Sequence, residues 1–160
     1  MGLFDVFKAG GGLKKHIDRV GNKRAQKHER WESIQTLAAD GSEEAIRALL
    51  VRFTIRVDPS ITDGEEKSAA FHGVVQHGEA ALGPVCDFLE SSETLAWPLK
   101  ILKEIQSEEQ LIATLLELLA TMHTEYERDP QKKIDLIASF EEQKDPRIVE
   151  AVTRFLEDMN

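Results

Sequence analysis

Cysteine occurs once in the chain, at Cys86, so no disulfide can form within it and the fold has to be held by packing. No apolar run approaches the ~20 residues that a membrane-spanning helix needs. The N-terminus lacks the long apolar stretch of a secretory signal. These absences lead to the expectation of a soluble, cytoplasmic protein. Catalytic signatures are missing as well. There is no Gly-x-Ser-x-Gly elbow, no Walker loop and no dinucleotide fingerprint. Gly10-Gly11-Gly12 follows no strand and lacks the spacing of a phosphate loop. His72 and His77 are five apart, about 140° around a helix, whereas a zinc pair on one helix wants a spacing of three or four. No catalytic residue, cofactor or metal is expected.

What is present suffices for one ordinary domain. The 160 residues weigh 18.0 kDa, with 41% hydrophobic and 31% charged side chains, enough to build a core without covalent staples. The net charge is −9, from 20 basic and 29 acidic residues, and it is unevenly placed. Residues 1–30 hold eight basic and three acidic side chains, or +5; the remainder holds 12 against 26, or −14. An acidic body repels phosphate backbones, which excludes general nucleic-acid binding and favours a partner with a basic segment. The basic N-terminal segment suits an anionic surface, a membrane or the protein's own acidic body.

Leu3, Phe4 and Phe7 fall on one helical face, with Val6 beside them. Gly10-Gly11-Gly12 then predicts a flexible break, after which Leu13, Ile17 and Val20 form a second stripe. From residue 23 the pattern predicts helix after helix: 23–39, 42–54, 62–76, 79–90, 93–106, 107–127, 130–143 and 146–158. Asp40-Gly41-Ser42 ends one helix and caps the next. Thr62 with Glu65 and Ser107 with Gln110 have capping-box spacing. Asp129-Pro130 and Asp145-Pro146 place a cap before a proline at the first helical position, and Ser91 or Ser92 is the expected cap of the helix holding Trp97. Pro84 and Pro98 predict kinks or late starts. The alternation in Leu50–Val57 is read as a helix end followed by loop.

The second helix of each pair repeats. Counting from Ser42, Gly78, Ser107 and Asp145, the residues four on are Ile46, Leu82, Leu111 and Val149. Eight on stand Leu50, Cys86, Leu115 and Thr153, and eleven on stand Phe53, Leu89, Leu118 and Leu156. These offsets share one helical face, and all but Thr153 are apolar or cysteine. The starting residues are 36, 29 and 38 apart, a period characteristic of stacked helix pairs. The first helices contribute Trp31, Ile34 and Leu37, then Ala70, Phe71, Val74 and Val75, then Leu95, Leu99, Leu102 and Ile105, then Ile134, Ile137 and Phe140.

The segments Gly78–Leu89 and Asp145–Leu156 resemble the second helix of a HEAT or armadillo-type repeat. The resemblance covers roughly residues 23–160. It departs from the family pattern in its irregular spacing and in lacking the regular Val-Arg pair of many HEAT turns. It implies an all-α fold: a right-handed α-solenoid of about four stacked antiparallel helix pairs over 23–160, preceded by an amphipathic basic extension over 1–22. Leu156–Asn160 resembles the turn before a further first helix. An open end there, covered by more chain or by a partner, is expected.

The function expected of such a fold is a non-catalytic interaction module or scaffold that grips a protein or peptide on a solenoid face. The candidate partner-binding residues are Leu3, Phe4 and Phe7 on the N-terminal stripe, whose other expected uses are to cap the open end of the first helix pair or to lie on an anionic membrane, and Glu65, Glu66, Glu104, Glu108 and Glu109 on the acidic body. Trp31 and Trp97 are expected in the core, and either is an interface anchor if exposed. Cys86, at a repeat position otherwise filled by leucine, is expected to be buried. The alternatives are peripheral membrane recruitment through residues 1–20 and a HEAT-like enzyme subunit. The resemblance extends to bilin lyase subunits and alkylpurine DNA glycosylases of HEAT-like fold, but the lyases lend no motif, and the glycosylases' basic, aromatic-bearing face conflicts with the acidic body.

Overall fold

The computed structural model describes residues 3–158, with side chains from residue 12 onward. Among the described residues the regular structure is entirely helical. The helices are α1 (Leu3–Val20), α2 (Lys27–Asp40), α3 (Glu43–Val51), α4 (Ser60–Val75), α5 (Leu82–Ser91), α6 (Ala96–Ile105), α7 (Glu108–Thr121), α8 (Gln131–Ala138) and α9 (Pro146–Thr153). A 3₁₀ turn at Arg52–Thr54 closes α3, and another at Gly78–Ala81 leads into α5. Leu50–Val57 is therefore helix end and then loop. None of the described helices is long and apolar enough to cross a membrane.

Several helix ends follow from local chemistry. Ser42 accepts a hydrogen bond from Ala45 N, Ser107 and Gln110 form a reciprocal capping box, and Asp145 accepts from Arg147 N with Pro146 opening the helix. Pro84 and Pro98 each stand third in their helices, where no amide hydrogen is needed. Other ends differ from expectation. The chain enters α4 two residues early, from an extended Pro59, so Thr62 is a buried helical residue rather than a cap. Pro98 fits only a first turn, so α6 begins at Ala96, and Ser92 instead closes a local turn with Thr94. Helix α8 starts one residue late, with Pro130 rather than Asp129 at the cap position. The break expected at Gly10–Gly12 is absent: α1 runs through it, bearing the ~1 kcal/mol that each glycine costs a helix relative to alanine.

The chain divides into two compact units, Met1–Val85 and Cys86–Asn160. In the first, α2 packs against α1, α3 and α4, and α3 packs against α1 and α4. Val20 at the end of α1 is fully buried, and His16 is 2.9 Å from Ser33 Oγ of α2. Residues 13–20 thus belong with the helices that follow them. Four ties set the direction of α4 against α2. Lys27 bridges Glu65, Arg30 bridges Glu66, and Gln76 and His77 both reach the carbonyl of Ala38. Position rises along both helices together, so α2 and α4 run parallel, and the partners are 38, 36, 38 and 39 residues apart. Gly73 allows the close approach, since a Cβ there would stand 2.8 Å from that of Ala38. Gly41, at φ 66°, takes the left-handed turn after α2, and a side chain there would collide with the His77 ring.

In the second unit α7 packs against α6, α8 and α9. Its core is built from Ile101, Leu102, Leu111, Leu115, Leu119 and Leu136, with Ile148 from α9. Two adjacent lysines of α8 act as ties. Lys132 Nζ donates to Leu89 O and Glu90 O at the end of α5, at 2.7 and 2.8 Å. Burial pulls its pKa below the ordinary lysine value, opposed by the charge of Glu90. Lys133 is buried, pairs with Asp158 at 2.8 Å and donates to His123 O, anchoring the stretch between α7 and α8.

In three helices the buried stripe differs in part from the expected one, although Ile34, Leu37 and Phe140 are buried as expected. In α2 the inward stripe is Arg30, Ile34 and Leu37, spaced i, i+4, i+7, while Trp31 turns outward. In α8 it is Lys133, Leu136 and Phe140, and Ile134 is exposed. In α9 it starts at Ile148, and Val149, Thr153 and Leu156 are exposed. For α2 and α8 the apolar residues chosen from sequence stand at i, i+3, i+6, a row that drifts off one face, and the inward stripe begins with a charged residue instead.

Candidate functional site

The densest polar cluster lies inside the first unit. Arg52, on the 3₁₀ turn after α3, is fully buried and directs Nε to Glu66 Oε2 at 2.8 Å, NH2 to Asp63 Oδ1 at 2.8 Å and NH1 to Ile55 O at 3.1 Å. Arg30 reaches the same Glu66 carboxylate with two parallel bonds of 2.9 and 3.0 Å, and it also donates to Ala25 O. Lys67 Nζ holds the second oxygen of Asp63 at 2.8 Å, and Val57 N donates to the first. Burial raises the Asp63 pKa, but the bonds from Lys67, Arg52 and Val57 outweigh it and hold it at about 2. Each guanidinium nitrogen and each carboxylate oxygen of the set has at least one hydrogen-bond partner, which is the condition for burying charge at all. The cluster joins α2, α4 and the turn after α3, with Arg30, Arg52 and Glu66 buried at its centre, so its chemistry is that of a clamp.

Glu66 is the acidic partner-binding candidate that this arrangement removes. It is 0% exposed, with its carboxylate held by two guanidinium groups, and it cannot meet a partner. The sequence signal was the spacing: Thr62, Glu66 and Ala70 share the inward face of α4, and Arg30 shares that of α2 with Ile34 and Leu37. Arg52, which the sequence reading passed over, stands in the middle of the apolar run Leu49–Ile55, itself a sign of a buried partner.

Glu65, next to it, is exposed and bridges Lys27 across α2 and α4 at 3.1 Å. Trp31 lies one turn beyond Lys27 on α2 and is 40% exposed; Ile61 lies one turn before Glu65 on α4 and is also exposed. The face shared by α2 and α4 therefore presents an ion pair flanked by two apolar side chains. Glu104, Glu108 and Glu109 are exposed in the second unit, the latter two in the first turn of α7, where they favour the helix dipole. Leu3, Phe4 and Phe7 lie outside the described side chains. Trp97 is half-buried, with Lys100 Nζ 5.0 Å from its ring centre.

Cys86 is half-buried rather than in the core. Burial raises its pKa, and the nearby charges of Asp87, Glu117 and Glu90 raise it further, so the thiol stays protonated and weakly nucleophilic at neutral pH. A pocket of about 280 Å³ in the second unit is lined by Glu93, Met122, Glu127, Asp129, Lys132 and Lys133. Its two lysines are engaged in the ties described above. Among the described residues no group of three or more histidine, cysteine or carboxylate side chains is placed to hold a metal ion. No family model matches this chain, and no curated protein or solved structure matches it.

Proposed function

We propose that the chain is a non-catalytic helical-repeat module of the HEAT type, an α-solenoid of stacked helix pairs, that binds a protein or peptide on an exposed helix face. The repeat reading is supported by the α2–α4 ties. Their separations of 36 to 39 residues match the 36 between the cap positions Ser42 and Gly78, as expected when the first helices of successive pairs stack in parallel. The binding reading is carried by one observation, the exposure of Trp31 beside the Lys27–Glu65 pair. A tryptophan on a rigid helix is a favoured interface anchor, and here the clamp of Arg30, Arg52 and Glu66 stiffens the layer beneath it. The test is affinity capture from the native cell with the intact chain and with Trp31→Glu, both shown to unfold at the same temperature. A stoichiometric protein held by the first and lost by the second is expected. Retention by both takes binding off this face, and the absence of any stoichiometric partner overturns the interaction reading.

A further inference from the structure

We infer that the outer face of α2 and α4 pairs with the same face of a second copy of this chain, as a two-fold dimer. The inference rests on the binding face proposed above and names its partner. Lys27 gives the face its positive charge from α2, and Glu65 gives it its negative charge from α4. Glu32, the next carboxylate on α2, leans away to Arg19. Lys27 and Glu65 bridge each other at 3.1 Å, yet their side chains remain 57% and 52% exposed, so each has room for a second partner. Residues 1–85, the unit that bears the face, hold 12 basic and 12 acidic side chains, so two copies of this unit carry no net repulsion.

The ties between the two parallel helices fix what stands beside what. Lys27 is level with Glu65, and Ala38 is level with Gln76, both 38 residues on. The same offset sets Trp31 level with Ala69. Trp31 is 40% exposed, whereas Ala69 is half-buried and Ser68 beside it is an exposed small residue. The face therefore stands high on α2 and low on α4 at that level. Ile61, 74% exposed one turn before Glu65, carries the apolar surface past the ion pair.

A two-fold interface has to be complementary to itself. Rotation about an axis midway between α2 and α4, parallel to both, lays α2 of each copy over α4 of the other and keeps every residue at its level. Lys27 of each copy then meets Glu65 of the other, closing a square of alternating charge. Each Trp31 meets the low place at Ala69 of the other copy, where a large aromatic anchor is matched by a small residue. The two-fold that runs across the helices instead sets Lys27 on Lys27 and Glu65 on Glu65, which repels. Charge selects the first arrangement. A strongly basic or strongly acidic partner would find only half of this face matched, whereas a second copy matches both halves.

The test is sedimentation equilibrium of the full chain and its variants. The parent is expected to dimerise, and less so at high salt. Trp31→Glu is expected to weaken the dimer by about tenfold or more. Lys27→Glu and Glu65→Lys should each be monomeric alone, since each sets like charges across the axis. Their equimolar mixture should dimerise again, because one copy then brings two carboxylates and the other two lysines. An exposed ion pair contributes little to folding, so melts in dilute solution, where every variant is a monomer, should nearly match. A parent that stays monomeric overturns the proposal. So does a dimer indifferent to these variants, or one that the mixture fails to restore. Affinity capture judges the interaction module separately. A different protein held by a monomeric chain and lost with Trp31→Glu upholds that reading and removes self-association alone; a monomeric chain that captures nothing overturns both.

Discussion

Glu66 accepts three hydrogen bonds from two guanidinium groups that are themselves out of water, so its negative charge is what makes Arg30 and Arg52 tolerable in the core. Removing one partner from such a set costs far more than the set contributes. Glu66→Gln keeps the shape and deletes the charge, and we expect it to destabilise the protein by about 3–5 kcal/mol, read as a lower urea midpoint at unchanged slope. Replacing Glu66 and Arg52 together with apolar residues should cost less than Glu66→Gln alone. Asp63 makes the same cluster sensitive to acid. Its folded pKa of about 2 lies below the usual 3.8, so its contribution of about 2 kcal/mol is fully present above pH ~4 and is lost as pH falls toward 2. The Asp63→Asn variant should show a flatter decline of melting temperature between pH 5 and 2 than the parent, over the window set by those two pKa values.

At the level of single helices, caps decide where the chain turns. The capping box of Ser107 and Gln110 is the most complete, with Ser107 Oγ accepting from Gln110 N and Gln110 Oε1 accepting from Ser107 N. Ser107→Ala is expected to cost about 1 kcal/mol, and Ser107→Asp to recover most of it; thermal melts of the three proteins measure both. This box, Ser42 and Asp145-Pro146 were legible because a cap is a local event, settled by residues two or three apart. The box at Gln26 and Glu29 was missed because glutamine is an uncommon cap. Thr62 with Glu65 has the right spacing and no cap, because Pro59 starts the helix earlier. Trp31 and Ile134 fall off the inward stripes, and the α9 stripe slips by one residue, for a related reason. An apolar count favours Trp31 and Ile134, and only the packed partner reveals that Arg30 and Lys133 face inward.

Across the whole molecule, order is unevenly supported. The helices α2, α3 and α4 pack on one another around the arginine clamp, whereas α8 and α9 have eight residues each and leave Ile134, Val149 and Leu156 in water. Local opening follows buried contact, so amides of α8 and α9 should exchange with deuterium on the order of tenfold or more faster than those of α2 to α4; equal protection in both units would contradict it. The all-helical class, the approximate helix positions and the acidic balance were determined by the sequence alone, because periodicity, capping chemistry and charge are carried by neighbouring residues. Burial of Arg30, Arg52, Glu66 and Lys133, the outward turn of Trp31 and the exposure of Val149 and Leu156 were decided only by the tertiary structure. A charged side chain enters a core when a partner from another helix meets it, and an apolar one stays in water when no helix covers it; neither condition is written within one helical turn.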